Sequence, residues 1–189
     1  MEINTFGGNF ITPREVTNAR GVAYTKEQIA GLAVNLAGVF KWCRDGYTVM
    51  PAPSESRSLL FLRKNEPNRF HARNGGLWAR QRFAHEDKTS LGWIVIRFIP
   101  GSTSKMPYKQ KTLLPSGFGF PNVTEVVWAL IVHKTVKGIH LIPNILVRTS
   151  SFDDDGYPVV VGDNPDGIII RPWKGHPDGM IGMVAIIRR

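Results

Sequence analysis

Residues 123–150 read VTEVVWALIVHKTVKGIHLIPNILVRTS, the longest apolar run in the chain, and whether its first half is helix or strand decides the fold. Val126, Val127, Leu130, Ile131 and the methylenes of Lys134 recur at i, i+1, i+4, i+5 and i+8, the stripe of a helix facing a core. Against this stand the β-branched residues Val123, Val126, Val127, Ile131, Val132, Thr135 and Val136, which lose side-chain freedom in a helix. The termini favour the helix. Asn122 can cap a first turn and Gly138 can adopt the left-handed conformation that ends a last one, so the pattern predicts a helix over 123–136. Beyond Gly138, residues 139–142 and 145–149, parted by Pro143 and Asn144, read as two short strands.

Toward the N-terminus, Thr12-Pro13-Arg14-Glu15 has the form of a helix start. A hydroxyl accepts a backbone N–H, proline sits where no donor is needed, and a glutamate returns the bond three residues on. Thr25-Lys26-Glu27-Gln28 repeats the signature. Ile29, Leu32, Ala33, Leu36, Ala37, Phe40 and Cys43 then recur at three and four residues, which predicts a second helix over 26–44 ended by Asp45-Gly46. Residues 47–50, 58–63 and 91–100 read as strands, the last apolar at nearly every position and so interior to a sheet. Residues 101–122 form a long irregular connection. On the C-terminal side, strands are expected at 158–161, 168–171 and 180–187, between turns at Asp153-Asp154-Asp155-Gly156 and 162–167.

The expected architecture is α+β, a mainly antiparallel sheet packed with two N-terminal helices and one helix near 123–136. The competing reading is an all-β sandwich with an N-terminal helical segment, in which 123–136 is a strand. A single domain over 1–189 is expected, with a helical segment at 12–45 and a sheet-rich body at 46–189. With 42% hydrophobic and 21% charged residues, the composition is that of an ordinary globular protein. Residues 1–12 lack the features of a secretory signal, and Lys134 and Lys137 interrupt the best candidate for a membrane span. A soluble, cytoplasmic protein without a membrane partner is the expectation. The single cysteine, Cys43, excludes an intrachain disulfide framework and a multi-cysteine zinc site. Its neighbours Phe40 and Trp42 make it a small core residue.

The net charge of +9 is unevenly spread, with 17 Lys and Arg against 8 Asp and Glu in residues 1–111, and 7 against 7 in 112–189. Such a field attracts polyanions. Within the basic part, Asn74-Gly75 between Arg69 and Phe83 is a two-residue hairpin signal. In that register Phe70, Ala72, Leu77 and Ala79 share an apolar face, while Arg69, His71, Arg73, Trp78 and Arg80 share the other. Guanidinium groups around an indole are the chemistry of single-stranded nucleic-acid binding. Arg82, and Lys105, Lys109 and Lys111 in the connection, are further candidate contacts.

Other motifs carry less. Ser102-Thr103-Ser104-Lys105 has the order of an acyl-enzyme Ser-x-x-Lys without the companion elements that chemistry needs. Asp153-Asp154-Asp155 fails the calcium-loop pattern, because position six is Pro158 and position twelve is Asn164. His71, His85, His133, His140 and His176 show no zinc spacing, and His133 in its apolar run reads as a hydrogen-bonded core histidine. No metal or cofactor is expected. The sequence thus points to a basic, non-enzymatic binding or assembly protein that contacts nucleic acid or another polyanion through an Arg/Trp hairpin face, as a homo-oligomer or within a larger assembly. Two alternatives stand beside it. One is a glycan-binding surface module using exposed tryptophans and Asp-rich turns. The other is an enzyme whose pocket would unite a histidine with carboxylates distant in sequence.

Overall fold

The computed structural model describes residues 9–33, 36–71, 77–176 and 178–187. Residues 123–137 form a helix, α7 (Val123–Lys137), buried continuously from Val123 to His133. A helix that is apolar all round belongs inside a protein. The β-branched residues cost a few tenths of a kcal/mol each as helix formers. Burying each Val, Leu or Ile side chain returns about 1.5–3 kcal/mol, so packing overrides propensity. Both ends are satisfied. Asn122 Oδ1 accepts from the Glu125 N–H at 2.9 Å, and Glu125 Oε2 accepts from the Asn122 N–H at 2.8 Å. Ser151 Oγ accepts from the Val123 N–H at 2.8 Å. Gly138 ends the helix at φ 74°, its N–H bonded to the Lys134 carbonyl at 3.0 Å. The all-β alternative is thereby excluded.

The helix lies against an open, mostly antiparallel sheet. Its strands are β1 (Thr48–Pro51), β2 (Trp93–Phe98), β3 (Phe118–Gly119), β4 (Leu146–Phe152), β5 (Pro158–Asn164), β6 (Gly167–Pro172) and β7 (Ile181–Ile187). They are ordered β1-β2-β7-β4-β5-β6, with β3 also paired to β7. Every pairing is antiparallel except β4 with β7. Strand residues alternate between two faces. Met50, Ile94, Val147, Val161 and Ile170 point into the core beneath α7, joined by Val16 of α1 (Pro13–Arg20), Leu59 and Leu62 of α4 (Leu59–Asn65) and Phe83 of α5 (Arg82–Glu86). On the other face, Val49 and Val95 pack with Val39 and Cys43 of α3 (Leu36–Arg44), and Val160 and Ile181 pack with Trp173. Cys43 is the core residue its neighbours implied, and burial pushes its thiol pKa up.

The first helix starts as its signature predicts, with Thr12 and Glu15 forming a complete capping box. Arg20 in its last turn stacks over Trp128 of α7 at 4.8 Å and pairs with Glu66 at 3.1 Å. Thr25 and Gln28 exchange the same two cap bonds. Helix is then described over α2 (Lys26–Ala33) and again over α3, with residues 34–35 outside the described set. Ile29, expected on the apolar stripe, is 48% exposed.

Three local expectations are corrected. Residues 58–63 are not a strand, because Ser58 Oγ caps the Phe61 N–H at 3.3 Å and Leu59 and Leu62, one turn apart, bury together in α4. Residues 139–142 are not a strand either: Pro143 makes only an isolated bridge to Asp163, and Asn144 turns the chain at φ 59° before β4 begins. The connection 101–122 contains α6 (Pro107–Lys111) and β3.

His133 is buried, and its Nδ1–H donates to the Ile139 carbonyl at 3.1 Å. Burial, aided by Lys137 and opposed by that hydrogen bond, holds its pKa below the ordinary 6.5. The fold therefore favours neutral imidazole, so this contribution to stability is present above pH 6.5 and is lost as pH falls through the depressed folded value. Urea titrations of the parent and His133→Leu across this range should show the parent losing more stability on acidification. Separately, Asn122→Ala should lower the unfolding free energy by about 1–2 kcal/mol, read from the urea midpoint at neutral pH.

Candidate nucleic-acid interface

The two-residue hairpin predicted at Asn74-Gly75 is not formed by its described flanks, and the turn itself, with Arg73, lies outside the described residues. On one side, Pro67–Arg69 is a single 3-10 turn, after which Phe70 bridges Ile168 and the His71 N–H bonds to the Ile168 carbonyl at 3.1 Å. The chain therefore pairs with β6 rather than with itself. Gly167 allows this approach. It sits at φ 117°, and a Cβ there would lie 2.8 Å from the His71 nitrogen. On the other side, Trp78–Arg80 is a 3-10 turn leading into α5.

The physical reason is Trp78 itself. Its indole is only 6% exposed and packs on Phe70 at a centroid distance of 5.8 Å, with the Arg63 guanidinium 5.1 Å from the ring centroid. A large aromatic gains more from the core than from an exposed strand face. The cations expected around it are dispersed. Arg69 donates from Nη2 to Thr135 Oγ1 at 3.1 Å and lies 3.8 Å from Glu66. Arg82 lies 3.9 Å from Asp154, whose carboxylate also accepts its backbone N–H at 3.1 Å. Arg80 is exposed, and His71 is half-buried. These groups do not frame an open indole.

The lysines of the connection are placed differently. Lys105, Lys109 and Lys111 are exposed, as is Tyr108 at 64%, and Lys109 Nζ lies 6.0 Å from the centroid of its ring. No carboxylate pairs with these lysines among the described residues. The loop beneath is pinned. Gln110 is fully buried and donates from Nε2 to the carbonyls of Ser102 at 3.0 Å and Ile181 at 3.3 Å. Arg148 Nη1 donates to the Pro107 carbonyl at 2.6 Å, and the Ser104 N–H to the Asp178 carbonyl at 3.0 Å. The segment 173–176 packs alongside. Pro107 Cγ lies 3.9 Å from where a Gly175 Cβ would be, and Lys174 adds another exposed ammonium. Arg171 is 3.6 Å from Asp178.

Tyr108 and Lys174 are additions to the sequence-derived set. Tyr108 was legible, since it stands between Lys105 and Lys109. The clamp made by Gln110 was not, because nothing in a lysine-rich run marks one glutamine for burial.

A second constellation lies beside Arg69. His140 Nδ1 is 2.7 Å from Asp163 Oδ2, and both line a cavity with Arg69 and Lys134. Twenty-three positions separate that histidine from its carboxylate. Among the described residues, no group of three or more His, Cys, Asp or Glu could hold a metal ion. Compared with models of protein families, with curated proteins and with solved structures, the chain finds no match in any of the three.

The placement of Trp78 has a measurable consequence. Trp78→Ala should destabilise the fold by about 3–5 kcal/mol, as loss of a core aromatic does. Chemical denaturation checks this; a surface indole would leave the midpoint unmoved.

Proposed function

We propose that the protein is a basic, non-enzymatic binding or assembly protein for nucleic acid, and that its contact surface is Lys105, Tyr108, Lys109 and Lys111 with Lys174 beside them. One observation carries the reading: an exposed tyrosine with Lys109 at its ring shares a short segment with Lys105 and Lys111, lysines that have no carboxylate partners among the described residues, on a loop held from below by a buried glutamine. Each element has a chemical counterpart in a single strand. Ammonium groups neutralise phosphates and release counterions. A base stacks on any exposed aromatic face, a contact of about 1–3 kcal/mol that tolerates every sequence. A pinned loop loses little conformational freedom on binding, so more of the contact energy appears as affinity. The excess of positive charge in residues 1–111 adds a long-range attraction.

The glycan alternative draws no comparable support. It relied on exposed tryptophans and Asp-rich turns, but Trp78, Trp128 and Trp173 are buried, Trp42 and Trp93 are half-buried, and Asp153 in the Asp-rich turn is engaged by the Asp155 and Tyr157 N–H groups.

Fluorescence anisotropy with a labelled single-stranded oligonucleotide tests the proposal. Affinity should fall with added salt at a log–log slope near −3, about −0.7 for each of four phosphates. The combined variant Lys105→Glu, Lys109→Glu, Lys111→Glu should abolish binding, and Tyr108→Ala should weaken it roughly tenfold without changing the salt slope. Salt-insensitive binding, or binding untouched by these substitutions, would overturn it.

A further inference from the structure

The face of the sheet turned away from α7 carries cations beyond the lysine loop. Arg97 follows Ile96, which points into the principal core, so its side chain leaves β2 on the opposite side. There its guanidinium lies 5.4 Å from the centroid of the Tyr47 ring, and Nη1 donates to the Asp45 carbonyl at 2.9 Å. Tyr47 in turn stacks on Phe118 of β3 at a centroid distance of 5.3 Å. Just beyond β3, the Phe120 ring lies 4.5 Å from the guanidinium of Arg148, which holds the Pro107 carbonyl next to Tyr108. A line of rings with an arginine at each end thus leads from the lysine loop toward α3. Its last turn carries Arg44, exposed and adjacent to Asp45.

We propose that a single strand bound at Tyr108 continues across this face, with its phosphates on Arg97 and Arg44 at the far end. The inference rests on the nucleic-acid reading of the Lys105–Lys111 loop and adds the course of the strand beyond it. Charge favours this path. Neither Arg44 nor Arg97 pairs with a carboxylate among the described residues, whereas the acids set near them are matched, Asp45 by Lys41 at 3.7 Å and Asp178 by Arg171 at 3.6 Å. The chemistry of Arg97 also suits a phosphate. The Asp45 carbonyl takes one donor of a guanidinium that has several, and a planar fork meets phosphate oxygens in pairs. Held between a ring and a carbonyl, the group loses little freedom on binding. The span is short. Arg97 stands opposite Ala185 and Arg148 opposite Met183, on the two sides of β7. With strands about 4.8 Å apart and about 3.3 Å between residues, their Cα atoms are about 12 Å apart, a reach of a few nucleotides. The other face of the sheet is covered by α1, α4, α5 and α7.

The test uses the full chain and labelled oligothymidylates of about 6 and about 12 nucleotides, lengths within the site sizes of single-strand binding domains. The shorter should bind through the lysine loop alone. The longer should show a log–log salt slope steeper by about 1.4, that is about 0.7 for each phosphate met by Arg97 and Arg44. Slope is the deciding readout, since the extra registers on a longer strand raise affinity without changing it. In the double variant Arg44→Ala, Arg97→Ala the two lengths should give equal slopes, and the shorter should bind as it does to the parent. Equal slopes in the parent, or a difference that the double variant retains, would overturn the inference while leaving the lysine-loop reading in place. Binding of neither length would overturn both. If Arg97→Ala does not fold, Arg44→Ala alone should remove about half of the slope difference, and an unchanged difference there decides against the path.

Discussion

Burying a helix on every side requires that its two ends find partners, and the structure is arranged around meeting that requirement for α7. The backbone N–H groups of a first turn have no acceptor within the helix. Here Asn122, Glu125 and Ser151 supply them, and the same residues tie the helix to its surroundings. Asn122 Nδ2 donates to the Lys88 carbonyl at 2.8 Å, and Thr124 Oγ1 to the Asp87 carbonyl at 3.0 Å. Ser151 Oγ, having accepted from Val123, donates to the Asp87 carboxylate. Burial, reinforced by Glu86 and opposed by that serine, holds the Asp87 pKa above the usual carboxylate range. The start of α7, the end of α5 and strand β4 are thus one junction.

From that junction the sheet distributes everything else to two sides. Its central strand β7 pairs with β2, β3 and β4, and all but its last residue are buried. Side chains on the α7 side build the principal core and, at the β5–β6 turn, the cavity holding His140 and Asp163. The lysine-bearing loop leans on Arg148, which alternates with Val147 and so leaves the sheet on the side away from α7. The two candidate sites therefore face different solvent regions.

Charge is disposed with similar economy. Several cations are spent within the fold: Arg20 on Glu66 and the face of Trp128, Arg63 on Trp78, Arg148 on a carbonyl and the face of Phe120. Arginine suits these places, since its flat guanidinium stacks on rings and is less strongly hydrated than an ammonium. The lysines of the 105–111 segment are left at the surface, where their hydration is kept. A count of positive residues does not separate these uses. In this chain Arg69, singled out as a contact, instead holds Thr135 and Glu66, whereas Lys105, Lys109 and Lys111 are exposed without a carboxylate partner among the described residues.

What the sequence by itself determined is local. The caps at Thr12, Thr25 and Asn122 and the left-handed Gly138 rest on contacts within a few residues, and the interior strand near Trp93 and the strands after Pro158 show in runs of apolar and β-branched residues, which spacing and residue type encode directly. The fate of residues 69–71 and 77–83 was decided by tertiary structure. Asn74-Gly75 favours a hairpin in isolation, yet Trp78 and Phe70 gain more by burial against the core, and β6 offers the 70–71 backbone a partner at Gly167. His140 and Asp163 meet only because the segment after α7 runs back along β5, where Pro143 bridges Asp163, and Gln110 secures its loop only because β7 passes beneath it. Such contacts join residues far apart in the chain, and short-range pattern carries no record of them.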